Sequence, residues 1–185
     1  MKQIDMSNVK EASDSTRLPA GAYSCIICKV EDFPDKEYLK VTYDIAQGEY
    51  AGYYRALRDE HPDWAWTGAY VKSYKQKALP MFKRFCSAVS KSNGGFVFDG
   101  GAINANEQTL IGKAIGIVLR EEEYYGNDGE KRTRLVVYKE CPVDKLNEQK
   151  IPDVKRLDDG LTGTPSAVGD GFMDIPDDSN GILFS

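Results

Sequence analysis

Aromatic rings and cations fall together along three stretches of the chain. Tyr54 and Arg55 are adjacent, and Trp64, Trp66, Lys72 and Tyr74 crowd the next stretch. Tyr124, Tyr125, Lys131, Arg132 and Arg134 bracket an Asn127-Asp128-Gly129 turn. Flat rings offer faces on which unpaired bases stack, at about 1–3 kcal/mol per base, and nearby cations hold phosphates. These residues are therefore candidate contacts to single-stranded nucleic acid. Rings also fill cores, and parity separates the two uses. Tyr43 is in phase with Leu39, Val41 and Ile45 and belongs to the core. Tyr53 and Tyr54, read as neighbours on a strand, point to opposite faces, so one at most meets a ligand. Arg132 and Arg134 share the strand face opposite Thr133 and Leu135.

Catalytic signatures are missing from the sequence. There is no Gly-x-x-x-x-Gly-Lys-Ser/Thr loop and no Gly-x-Gly-x-x-Gly. The one histidine, His61, lies in Glu60-His61-Pro62-Asp63 with no nucleophile beside it and reads as a solvated loop residue. Alternation along a strand lets at most two of Glu121, Glu122 and Glu123 converge, so these read as a solvated strand end. Cys25 and Cys28 form a Cys-x-x-Cys within an apolar run, whereas zinc knuckles place their ligands on a turn. With Cys86 and Cys141 isolated, all four cysteines read as core. The expectation is a protein with no metal, no cofactor and no enzymatic activity.

Charge divides the chain. It carries 24 basic and 29 acidic side chains, and six of the acids are Asp residues in 158–185, which has no Lys or Arg. Residues 1–157 are left nearly neutral, so the pI of about 5.0 describes the tail. Phe172, Met173, Ile175, Ile182, Leu183 and Phe184 are interleaved with those acids. This composition predicts a disordered acidic tail whose apolar tip docks in a basic pocket on a partner. No run approaches the roughly 18–20 apolar residues of a membrane span. Residues 1–17 form a polar leader without a signal-peptide core, which predicts a cytoplasmic protein with reduced thiols.

The elements that would position these residues follow from periodicity. Strands are expected over 22–30, 38–45 and 50–57, with turns at 33–36 and 47–49. The stretch 59–68 reads as a loop, and from 69 to 90 the spacing turns helical. Leu79, Phe82, Phe85, Cys86 and Val89 form one stripe there, Pro80 marks the first turn of the main helix, and Asn93-Gly94-Gly95 ends it with a left-handed cap. After a loop over 99–106, strands at 110–125 and 133–139 flank the tight turn, and 142–157 is a coupling segment with a short helix. The order β-β-β-α-β-β is that of an all-β fold with one main helix, the OB-fold five-stranded barrel, over 18–157. A related small barrel or an α+β roll are the competitors. In an OB barrel the middle strands and the loops joining strands one to two and four to five line the groove, which includes the 124–134 hairpin. Exposed apolar strand positions leave a homo-oligomer open.

Three segments carry a resemblance: FKRFCSAVSKSNGGF at 82–96, LIGKAIGIV at 110–118 and REEEYYGNDG at 120–129. Over roughly 18–157 the chain resembles a family of phage and prophage early proteins regarded as single-stranded DNA-binding. The resemblance implies an OB-fold and a place in phage replication or recombination, and it transfers no residue roles. The tail is similar to the C-terminal tip of bacterial single-stranded DNA-binding proteins, which ends Asp-Ile-Pro-Phe and recruits replication and repair enzymes. Asp174-Ile175-Pro176 matches, but Asp177 and Asp178 follow, and Ile182-Leu183-Phe184 is closed by Ser185. The implied partners are single-stranded DNA and, through Asp174 to Asp178 and Ile182 to Phe184, replication or recombination proteins. The alternative is a protein-interaction adaptor with an OB-like barrel that does not bind DNA, which the neutral body favours.

Overall fold

The computed structural model describes residues 17–157. The leader to residue 16 and the tail 158–185, with Asp174, Ile175, Pro176, Asp177, Asp178, Ile182, Leu183 and Phe184, lie outside the described residues. Five strands form one antiparallel sheet in the order β3-β2-β1-β4-β5: β1 Gly21–Phe33, β2 Tyr38–Ile45, β3 Ala69–Ser73, β4 Ala114–Tyr125 and β5 Lys131–Cys141. A short helix α1, Tyr53–Glu60, lies between β2 and β3, and the main helix α2, Leu79–Ser92, between β3 and β4.

Alternation explains β2: Leu39, Val41, Tyr43 and Ile45 are all buried. They face Cys25, Ile27 and Val30 of β1 and Ile115, Ile117 and Leu119 of β4 in one core. Helix α2 adds Phe82, Phe85, Cys86 and Val89, and Phe82, Phe85 and Phe98 meet with ring centroids 6.1–6.4 Å apart. Truncating a fully buried ring such as Phe85 to Ala costs about 3–5 kcal/mol. Pro80 stands in the first turn of α2, as its spacing predicts. The helix stops before Asn93-Gly94-Gly95 with one correction: the left-handed residue is Gly95, at φ +75°, and Asn93 is extended. Its Nδ2 donates to the carbonyls of Val89 and Ala114 at 2.8 Å, and its Oδ1 accepts from Ala114 N at 3.0 Å, so one amide fastens the helix end to β4.

The third strand is a second correction: it is 69–73, and 50–57 is turn and helix. Asp44 is buried on β2, and its Oδ1 accepts from Tyr54 N at 3.0 Å, so the first turn of α1 has an acceptor. Gly52 precedes it at φ +74°, a backbone conformation that breaks a strand. Tyr53, Tyr54 and Leu57 then form the buried side of the helix, a spacing with no period of two. Gly68 leads into β3 under Tyr54. A Cβ there would lie 2.6 Å from the Tyr54 ring and from the Tyr43 carbonyl, so the close approach requires glycine.

The sheet is open, with β3 and β5 as its two edge strands. Bulges interrupt β1 at Cys28, between Ile27 and Lys29, and β5 at Tyr138, opposite Val118 and Leu119 of β4, and bulges bend and twist the strands that carry them. On the inner face Lys72 of β3 reaches Glu140 of β5, with Nζ 2.8 Å from Oε1 and 2.9 Å from Oε2. Both residues are buried, at 6% and 3% exposure. Tyr70 packs beside them, and burial first, then the Glu140 carboxylate, pushes its phenol well above the ordinary value.

Removing one partner of this pair strands a buried charge. Lys72→Met or Glu140→Leu alone should cost about 3–5 kcal/mol, and the double variant should recover most of the loss. Urea denaturation of the three variants measures both effects.

Candidate nucleic-acid interface

The register sorts the candidate residues to the two ends of the sheet. Phe33 pairs with Tyr38 at one end. Gly21 pairs with Leu119, and β4 runs on from there to Tyr125, so the β4–β5 hairpin lies at the other end. Ile45 pairs with Cys25, which brings the 46–68 connection to the hairpin end as well. Residues 17 and 18 join the two features. The Arg17 guanidinium donates to the Thr133 carbonyl at 2.9 Å, and Leu18 N donates to Tyr53 Oη at 3.4 Å.

In the 46–68 connection, Trp64 is 53% exposed. Its ring lies flat on His61, with centroids 3.9 Å apart and planes 12° from parallel. Arg58 Nη1 donates to the Trp64 carbonyl at 2.8 Å, holding the loop to the helix before it. His61, expected as a solvated loop residue, is half-buried, and its ring backs the indole. Arg55 is exposed on α1, not on a strand. Trp66 is half-buried, and its Nε1 donates to the Tyr43 carbonyl at 3.0 Å, so it seals the core more than it faces solvent.

On the hairpin, Tyr125 is 58% exposed, and the Arg134 guanidinium lies over the Tyr124 ring at 5.2 Å. Each hairpin cation is matched by an acid. Lys131 pairs with Glu123 at 2.8 Å, and Arg132 pairs with Asp128 and with Glu130 at 3.6 Å. Glu122 gathers three cations: Arg120 at 3.7 Å, Arg134 at 3.6 Å and Lys155 at 3.7 Å. The acidic run at 121–123 is thus not a solvated strand end. The Glu122 and Glu123 side chains are only 19% and 18% exposed, and Glu123 is held below the ordinary carboxylate range chiefly by Lys131. The segment beyond residue 151 explains part of this, because it lies parallel to the end of β4. Glu123 N donates to the Lys155 carbonyl, and Lys155 N to that of Glu121, both at 2.9 Å.

Three candidates lie elsewhere. Tyr54 is 6% exposed, and its hydroxyl shares a 3.4 Å hydrogen bond with that of Tyr43. Lys72 is buried against Glu140. Neither can meet a ligand without unfolding. Tyr74 stands at the opposite end of the sheet, where its hydroxyl donates to Asp32 Oδ1 at 2.8 Å. Desolvation first, then Asp32, Glu37 and Asp35, push its phenol up to about 12. Surroundings that negative repel phosphate.

Sequence reasoning passed over one surface. On the outer face of β1 and β2 the Phe33 and Tyr38 rings stack with centroids 4.9 Å apart, and Phe33 is 37% exposed. Lys40 pairs with Glu31 and with Val71 in the adjoining strands, on that same face. The signal for it was the parity of β2: with Leu39, Val41 and Tyr43 inward, Tyr38 and Lys40 must face out.

Around the thiols, burial pushes Cys25 well above the ordinary value and Cys86 up to about 11. Both are protonated thiols at neutral pH. Among the described residues no helix is long and apolar enough to cross a membrane. No family model matches the chain, and no curated protein matches it significantly.

Proposed function

We propose that the chain binds single-stranded DNA at the hairpin end of the sheet, as a phage or prophage replication or recombination protein of the bacterial cytoplasm. The observation that carries this reading is the gathering of open rings and cations from two connections at one end. Trp64 is backed by His61, Tyr125 is 58% exposed, and Tyr124 lies beneath Arg134. The domain is read as an OB barrel. The strand order, the place of α2 between β3 and β4, and the Lys72–Glu140 pair across the two edges all support that reading. The acidic tail 158–185 recruits replication or recombination proteins.

The direct test is titration of the folded protein with oligo-dT while following Trp fluorescence. Trp64→Ala should weaken binding by about 1–3 kcal/mol, the worth of one stacked base, or a factor of roughly 5 to 150. Tyr74→Phe, at the opposite end, should change nothing. Deleting 158–185 should leave or strengthen DNA binding and abolish partner binding.

Glu122→Gln releases three cations from a shared carboxylate. It should raise oligo-dT affinity at low salt and steepen the log–log salt dependence by about 0.7 per phosphate gained. A slope and affinity equal to wild type would show that those cations do not meet the strand.

The matching of hairpin cations by acids favours the adaptor as a second reading. Between 120 and 134 four cations meet five carboxylates, whereas dedicated nucleic-acid binders carry a basic patch. A folded protein with no oligo-dT binding at low salt would leave the adaptor in place of the DNA reading.

A further inference from the structure

At the end of the sheet away from the hairpin, a cavity of about 420 Å³ opens between the β1–β2 end, the start of α2 and the loop after Phe98. Leu39, Phe82 and Phe98, all buried, form its floor. Asp32, Asp99 and Glu107 stand around it with Tyr74, and none of the lining residues is basic. Leu79, 40% exposed, is at its mouth. The Asp99 carboxylate is fixed in place. Oδ1 accepts from Gly101 N at 3.1 Å and Asn104 N at 2.9 Å, and Oδ2 from Ile103 N at 3.2 Å. Those amides hold its carboxyl below the ordinary range, so it stays ionised. The same bonds pin a loop that presents Ile103 to solvent at 72% exposure.

An apolar floor beneath carboxylates selects a ligand that is apolar along its stem and cationic at its tip. A bare metal ion gains nothing from the floor, and a polyanion is repelled by the rim. We propose that this cavity docks a lysine or arginine side chain of a protein partner, carried in an apolar segment. The stem lies on Leu39, Phe82 and Phe98, and the charged tip meets Asp32, Asp99 and Glu107. Residues flanking the cation pack on Leu79 and Ile103, the arrangement of a buried anchor with an apolar surround. The site lies at the end opposite Trp64 and the hairpin, so it can be filled while a strand is bound, and it does not rest on the nucleic-acid reading.

The test is an NMR titration of the ¹⁵N-labelled full chain with the tripeptide amide Ac-Leu-Arg-Leu-NH2, with Ac-Leu-Gln-Leu-NH2 and with spermidine. The arginine peptide should give saturable shifts at the amides of Leu79, Phe98, Gly100 and Glu107. The glutamine peptide should bind about tenfold more weakly or worse, since it loses every carboxylate contact. Spermidine, a cation without an apolar stem, should not reproduce the shifts. Asp32→Asn and Glu107→Gln should each weaken the arginine peptide by about threefold, as expected for partly exposed ion pairs. Thermal unfolding verifies each variant, and if Asp32→Asn fails to fold, Glu107→Gln decides. Equal binding of the two peptides, the same shifts with spermidine, shifts centred elsewhere, or unchanged affinity in the folded variants would overturn the proposal.

Discussion

The structure turns on one buried ion pair. β3 is five residues long, and its main-chain partner among the described residues is β2 alone. What joins its other side to the rest of the sheet is the Lys72–Glu140 contact at 2.8 Å. Taking both charges out of water costs several kcal/mol each, so the pair adds little net stability. Its effect is on uniqueness. A one-residue slip of β3 against β2 would carry Lys72 to the outer face and leave Glu140 charged and alone in the interior. The register that places Lys72 beside Leu39 also places Tyr70 beside Val41.

The register fixes what each end of the sheet can hold. The hairpin end collects the 46–68 connection, the β4–β5 turn and residues 17 and 18, and these share hydrogen bonds. The other end collects the β1–β2 turn, the start of α2 and the pinned loop at 99–104. The two ends differ in charge. Carboxylates surround Tyr74 without a cation lining the cavity, whereas the hairpin holds acids and bases interleaved.

What could be read in the sequence follows the same physics. Strand 38–45 was legible because its inward residues are apolar without exception, and α2 because Pro80 and an apolar stripe agree. β3 was hidden because its inward positions are Tyr70 and a lysine, so a polar residue sits where alternation demands an apolar one. That disguise also put Lys72 and Tyr74 among the surface candidates. Helix α1 was hidden because the acceptor for its first turn, Asp44, lies in the preceding strand and looks like any outward-facing acid there. Tyr54 followed that error: on a strand its face was undetermined, and on the helix it turns into the core. The cation and aromatic content at 124–134 was legible. The acids that neutralise it were also visible, but the pairing of Glu122 with Lys155 depends on a parallel contact made 33 residues later in the chain.

That pairing bears on how a neutral surface could hold a polyanion at all. A hairpin cation already facing a carboxylate meets a phosphate by exchange, and the favourable term is the difference between two anions. Partly exposed pairs of this kind are worth about 0–1 kcal/mol each, so the exchange is inexpensive and also gains little. Charge alone therefore gives weak attraction at this end. On the proposed reading the rings must supply the rest: Trp64 on its His61 backing and Tyr125 each offer a face whose worth is independent of salt. Binding at such a surface would depend on ionic strength far less steeply than at a basic groove. Glu122 sets how far, because it answers three cations at 3.6–3.7 Å and lies within hydrogen-bonding reach of none of them.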